Sequence, residues 1–321
     1  MEENRTALTS QETEKAVALI KSVIENVEKE IVGKSEAIEL VLTALLSRGH
    51  VLLEDVPGVG KTSLISCVAR SIDCGFKRIQ FTPDLMPSDV TGFSVFNQKS
   101  GEFEFRPGAV MSNLILADEI NRASAKTQAS LLEAMEEKQV TVDSITYRLD
   151  PPFMVMATQN PVESFGTYPL PEAQIDRFLL KLKIGYPSVV EEQQIIHDKS
   201  TPKAGISAVV DREDVIWLCE AADRVTMDDD IERYIVELVA ATRTNSRVVL
   251  GSSPRGSIAL SRTAKVHALM AGRNYVIPDD VKYLAPYVLA HRLILTHEAK
   301  TEKIEPEKII GEILDSVIAP S

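Results

Sequence analysis

The chain has 321 residues, of which 44% are hydrophobic and 26% charged. That balance is ordinary for a soluble globular protein and excludes collagen-like, mucin-like and wholly disordered chains; at roughly 150 residues per domain it predicts two domains. Forty-seven acidic residues against 35 basic ones leave a formal net charge of −12, so phosphate backbones are repelled on average and nucleic-acid binding would need a local basic patch.

The three cysteines, Cys67, Cys74 and Cys219, have no C-x-x-C spacing. They fit neither a disulfide framework nor a zinc ribbon and read as small apolar residues in or near a core. The five histidines lack metal-ligand spacing. Segment 1–30 is charged, without the apolar run of a signal peptide. No stretch approaches the roughly 18 apolar residues of a membrane span. A cytoplasmic protein is expected.

In chain order, a first amphipathic helix is predicted over 11–30, with Val17, Ile20, Val23, Ile24 and Val27 at helical spacing. A second starts from Ser35 as N-cap and runs through Ile38, Val41 and Leu45. The apolar run Val51-Leu52-Leu53 predicts a strand, followed by a Pro/Gly-rich loop and a helix from Lys61 to Ile72. Further strands are predicted at 78–81, 114–117, 153–157 and 178–184. Short apolar runs separated by helices are what a parallel sheet covered on both faces requires. Two hairpins interrupt this rhythm, at 92–106 and 139–149; as insertions they either contact something or pack on the domain. Beyond Tyr186-Pro187 only helical patterns follow, at 188–199, 211–224, 228–246, 254–271, 278–292 and 306–317, so the domains are predicted as 1–186 and 187–321.

The chemistry concentrates at strand ends. In Glu54-Asp55-Val56-Pro57-Gly58-Val59-Gly60-Lys61-Thr62-Ser63 a strand enters, a Gly-rich loop turns and a helix leaves, the context a phosphate-binding loop demands. Backbone N–H groups of such a loop and helix start cradle phosphate oxygens. Lys61 is suited to the β- and γ-phosphates and the Thr62 hydroxyl to Mg²⁺. One departure stands out: Asp55 occupies the place of the first glycine in G-x-x-x-x-G-K-[ST]. Next, Leu114–Ala117 runs into Asp118 and Glu119. Beside a phosphate loop the first acid is suited to the Mg²⁺ shell and the second to activating water; by itself the pair reads more often as a solvated helix start than as a site. Asn160, at the tip of the next strand, either positions the lytic water or makes an Asn-Pro turn. Arg177 stands where a helix gives way to the last strand, with an intramolecular Asp–Arg pair as the alternative. Arg255 falls in the first turn of a helix capped by Ser253 with Pro254 at its first position. A cation there opposes the helix dipole and points to an anionic partner such as a nucleotide phosphate.

The ordered set EDVPGVGKTS, LILADEINRA, MATQNP, LPEAQIDRF and SPRGS resembles the MoxR family of AAA+ ATPases over nearly the whole chain. The resemblance implies an αβα P-loop core with a five-stranded parallel sheet, a C-terminal helical lid, and a helix-2 insert matching the hairpin at 92–106. It implies Pro57 through Ser63 as the Walker A loop, centred on Lys61 and Thr62, with Asp118 and Glu119 as Walker B. By the same likeness Asn160 is sensor 1, Arg255 sensor 2, and Arg177 an arginine finger acting on a neighbouring subunit, with Arg122 as its competitor for that role.

With ATP and Mg²⁺ as the implied cofactors, a hexameric ring is expected. A guanine-reading N/T-K-x-D pattern is missing after the loop, which favours ATP over GTP. The favoured function is a chaperone-type machine that remodels or matures client protein complexes with partners carrying von Willebrand factor A domains. The alternatives are a nucleic-acid motor, a metal-chelatase-type motor subunit and a nucleotide-gated scaffold. Net acidity argues against the nucleic-acid motor, as does a first hairpin offering only Lys99 and Arg106 as cations; the complete Asp118-Glu119 pair and Arg177 argue against the scaffold.

Overall fold

The computed structural model describes residues 7–54, 58–159, 168–199 and 205–320. In chain order these form α1 (Ser10–Glu28), α2 (Ser35–Leu46), β1 (Val51–Glu54), α3 (Lys61–Ser71), β2 (Phe76–Gln80), α4 (Pro87–Thr91), β3 (Gly92–Asn97), β4 (Glu102–Pro107), β5 (Leu114–Asp118), α5 (Ala125–Glu137), β6 (Gln139–Val142), β7 (Ile145–Arg148), β8 (Met154–Gln159), α6 (Glu172–Ile175) and β9 (Leu180–Leu182). There follow α7 (Val189–Lys199), α8 (Arg212–Asp223), α9 (Asp229–Thr244), β10 (Val248–Leu250), α10 (Pro254–Met270), α11 (Pro278–Leu289), β11 (Ile294–Leu295), α12 (His297–Thr301) and α13 (Pro306–Ser316).

Five strands form one sheet in the order β2-β5-β8-β1-β9. The register pairs Leu114 with Met154, Val51 with Met156 and Gln80 with Asp118, all parallel. Leu52, Ile115, Ala117, Val155 and Ala157 face a core closed by Leu131, Leu132 and Met135 of α5. Their strand neighbours Val51, Leu53, Leu114, Leu116, Met154 and Met156 are equally buried on the opposite face. Both faces being dry explains why these strands read as continuous apolar runs rather than alternating ones.

The chain divides into two compact units. One comprises residues 22–178 and 182–216; the other comprises 217–320 with 7–21 and 179–181. The division thus lies some way beyond the change of texture near 186. The stretch after α7 belongs to the sheet unit because its backbone is tied there: Asn26 Nδ2 donates to Ser207 O at 2.9 Å, Arg70 Nη2 to Ile206 O at 2.8 Å, and Arg212 Nε to Pro151 O at 2.5 Å.

Other differences from the expected elements are local. Lys34, not Ser35, occupies the N-cap of α2, and the Ser35 hydroxyl donates to Glu28 instead. The strand expected at 78–81 runs from Phe76 to Gln80, and that expected at 178–184 shortens to Leu180–Leu182. In the second unit β10 and β11 form a small antiparallel pair, too short for any periodicity to register.

Both hairpins are present where expected. Gly92 opens the first at φ +103°, and a Cβ there would stand 2.6 Å from Arg106 O, so the strands close tightly at their base. Phe105 of β4 stacks on Tyr147 of β7 with centroids 4.0 Å apart, which joins the two hairpins. Phe93, Phe96 and Phe103 remain exposed.

In the second unit, Pro254, Pro278 and Pro306 open their helices, where a missing N–H costs nothing. Buried Asp280 gathers three neighbours: Arg273 at 2.6 and 2.8 Å, His267 Nδ1 at 2.6 Å, and the Ile277 N–H at 2.8 Å. Glu12 of α1 receives both Arg224 terminal nitrogens, at 2.8 and 2.9 Å. That pairing, with help from Thr9, holds its carboxyl at about 2.

His50 pins the sheet unit from inside. Its Nδ1 accepts the Val155 N–H at 3.0 Å, and its Nε2 then donates to Met135 O at 3.1 Å, joining β8 to the end of α5. Burial holds its pKa at about 4, against an ordinary 6.5. Protons therefore bind the unfolded chain first. The stabilisation is whole above about pH 6.5 and drains away as pH falls toward 4. Urea titrations should show stability declining across that window. His50→Asn should flatten the decline and cost about 1–3 kcal/mol at neutral pH by leaving buried groups unpaired.

Candidate functional site

The parallel register sets the carboxyl ends of β1, β2, β5 and β8 along one edge, where open α/β sheets bind ligands. From β1 the chain reaches Gly58 and Gly60, both at φ +89°, a conformation that favours glycine. Among the described residues no atom lies within 4 Å of where a Cβ would stand on either, and both glycines line the cleft described below. Gly60 caps α3, and its carbonyl accepts the Leu64 N–H at 2.9 Å. The N–H groups of Lys61, Thr62 and Ser63 therefore belong to the helix's first turn, the positive end of its dipole.

Opposite this turn β5 delivers its two acids. Asp118 follows an entirely buried Leu114–Ala117 and is itself only partly covered. Glu119 adopts φ +56°, the left-handed region that non-glycine residues rarely occupy. Thr158 at the tip of β8, fully buried, joins the two acids. Its Oγ1 donates to Asp118 Oδ1 at 2.7 Å and accepts the Glu119 N–H at 2.8 Å. From β2, Gln80 Nε2 donates to Glu119 Oε2 at 2.7 Å. Arg78 Nη2 meets Asp118 Oδ2 at 2.5 Å. Arg122 Nε lies 3.4 Å from Glu119 Oε2, within the same chain.

Gly58, Gly60 and the helix start at Lys61–Ser63 line one cleft of about 380 Å³ with Asp118 and Glu119, and Arg78 and Gln80 form its β2 side. The structure thus brings together the predicted glycines, Lys61, Thr62, Ser63 and both acids. Pro57 and Asn160 lie outside the described residues. Arg177 and Arg255 are not among the described residues lining the cleft. Arg177 pairs with Glu136 at 3.0 Å, so its intramolecular partner is a glutamate of α5 rather than a neighbouring aspartate. Arg255 sits in the second unit, in the first turn of α10 as expected, its N–H capped by Ser253 Oγ at 3.2 Å. Sequence patterns missed Thr158, Arg78 and Gln80. The signal available for the last two was the alternation of β2, which buries Ile79 and turns its neighbours to the other face.

The donor set suits a hard divalent cation: a hydroxyl at a helix start and a carboxylate at a strand end, beside a loop shaped for phosphates. That is the chemistry of Mg²⁺ held jointly by protein oxygens and phosphate oxygens.

Known proteins resemble the chain over most of its length. Residues 50–180 match the family model described as ATPase family associated with various cellular activities (AAA), and residues 240–313 match the AAA lid domain. The uncharacterized protein YeaC of Bacillus subtilis is 56% identical over 94% of this chain and 95% of its own. Chaperone MoxR1 of Mycobacterium tuberculosis is 44% identical over 95% of this chain and 83% of its own. A crystal structure of a candidate ATPase from Cytophaga hutchinsonii superposes with a TM-score of 0.92 at 43% identity, covering 97% of this chain and 98% of that one. Among the described residues no helix is long and apolar enough to cross a membrane.

Thr158 supports both acids at once, so Thr158→Val should leave the Glu119 N–H unpaired. Stability should fall by about 1–3 kcal/mol in thermal unfolding, and any nucleotide turnover should fall with it.

Proposed function

Because the chain belongs to the MoxR family of AAA+ ATPases, we propose that it binds and hydrolyses ATP with Mg²⁺ in the cleft at the sheet's carboxyl edge, and that rings of the protein use this turnover to remodel or mature client protein complexes. The observation carrying the proposal is the convergence of the glycine loop, Lys61 and Thr62 with Asp118 and Glu119 in one cleft.

The roles follow from the chemistry of each group. First-turn N–H groups and the Lys61 ammonium neutralise the β- and γ-phosphates. The Thr62 hydroxyl and Asp118 carboxylate supply hard oxygen ligands for Mg²⁺, which offsets the charge on the terminal phosphates when bound. Glu119 orients and deprotonates the attacking water, with Asn160 as the second group holding that water. Gln80 and Arg122 occupy one Glu119 oxygen, Oε2, and so set the carboxylate's orientation.

Arg177 serves the γ-phosphate of a neighbouring chain, exchanging its Glu136 contact for phosphate. Arg255, at the position of the family's sensor 2, supplies a cation for nucleotide phosphate. A hexamer is the proposed ring, in the cytoplasm, with a von Willebrand factor A domain protein as partner. The chaperone reading is supported by a 44% identical relative that carries that description.

Lys61→Ala should abolish binding of a fluorescent ATP analogue. Glu119→Gln should retain binding and lower turnover at least about 10²-fold; equal turnover in the Gln variant would remove Glu119 as the water activator. Arg177→Ala should bind nucleotide normally and hydrolyse slowly. Mixing it with Glu119→Gln should restore part of the activity by creating interfaces with one intact site. If mixtures stay as slow as their parents, Arg177 does not act across subunits.

A further inference from the structure

Arg78 stands on the metal carboxylate without belonging to the loop, strand-end or lid motifs described above. It lies in the middle of β2, an edge strand of the sheet. Alternation sends Ile79 into the core and turns Arg78 and Gln80 toward the cleft. The guanidinium donates from one nitrogen, Nη2, to Asp118 Oδ2 at 2.5 Å and to Gln80 Oε1 at 3.0 Å. The other Asp118 oxygen is occupied by the Thr158 hydroxyl. A divalent cation reaching Asp118 therefore meets a monovalent one already on it, and like charges sharing one oxygen repel.

The two cations differ in how readily they give way. The Arg78 side chain is 48% exposed, whereas that of Asp118 is 14% exposed. A long side chain at a sheet edge can swing into water at little cost, while the strand-end carboxylate is held by its neighbours.

We propose that Arg78 is a positioning residue that competes with Mg²⁺ for Asp118. Its guanidinium fixes the carboxylate and cancels its charge against incoming phosphates, then yields Oδ2 to the cation arriving with the nucleotide. Gln80 accepts Arg78 at Oε1 and donates to Glu119 from Nε2, so the same exchange is felt at the water-activating carboxylate. This inference rests on the nucleotide reading of the cleft.

The quantity that tests it is the factor by which Mg²⁺ tightens nucleotide binding, measured on the full chain with a fluorescent ADP analogue with and without saturating MgCl₂. Removing the competitor should weaken metal-free binding and favour metal-bound binding. Arg78→Gln should therefore raise the factor about three- to tenfold. Arg78→Ala should do the same, which guards against a folding defect peculiar to one side chain. Arg78→Lys keeps a cation at the site and should stay within about twofold of wild type. An unchanged factor in the Gln and Ala variants, or equal weakening with and without Mg²⁺, would overturn the competition. A wild-type chain that binds no analogue under either condition would instead overturn the nucleotide reading itself.

Discussion

A single hydroxyl, that of Thr158, ties together Asp118 at the end of β5 and Glu119 just beyond it. It can reach both only because β8 lies beside β5 in parallel and the register brings its tip level with Asp118 and Glu119. That register cannot slip by one residue. A slip would turn Leu114, Leu116 and Asp118 to the opposite face and put a carboxylate into a dry core. The geometry of the cleft is therefore a by-product of core packing, and the polar edge inherits its accuracy from apolar side chains well away from it.

The same economy governs the buried polar groups. His50 satisfies a strand N–H and a helix carbonyl in one stroke. Gln128 donates to the carbonyls of Ile120, Ala123 and Tyr168, pinning the turn after β5. In the second unit Asp280 does for two helices and their connection what Thr158 does for two strands. Each is placed where several backbone segments meet, so each would leave more than one partner unsatisfied if removed.

The phosphate loop was legible because its requirements are local. Glycines at positive φ, a following Lys-Thr and a preceding apolar strand leave a contiguous trace in the sequence. The acids at the end of β5 and just beyond it stood out because a fully buried strand must end where charge begins. Arg78 and Gln80 were not, because their meaning depends on β2 lying beside β5, and adjacency in a sheet leaves no mark within the strand itself. Thr158 is equally silent: within Met156-Ala157-Thr158 it reads as an ordinary β-former. The ties that hold the stretch after α7 to the sheet unit left no local pattern, since that between Arg70 and Ile206 spans more than a hundred residues. Arg177 was singled out by motif, and its bond to Glu136 of α5 could only be seen in three dimensions.

The stacking of Phe105 on Tyr147 also brings together two parts of the chain that are distant in sequence. The first hairpin interrupts the connection between β2 and β5, and the second interrupts the connection between α5 and β8. Two chain excursions separated in sequence are thus joined through a pair of stacked rings. Removing either ring uncovers the face of the other, so a substitution in one hairpin is felt as lost apolar contact in both.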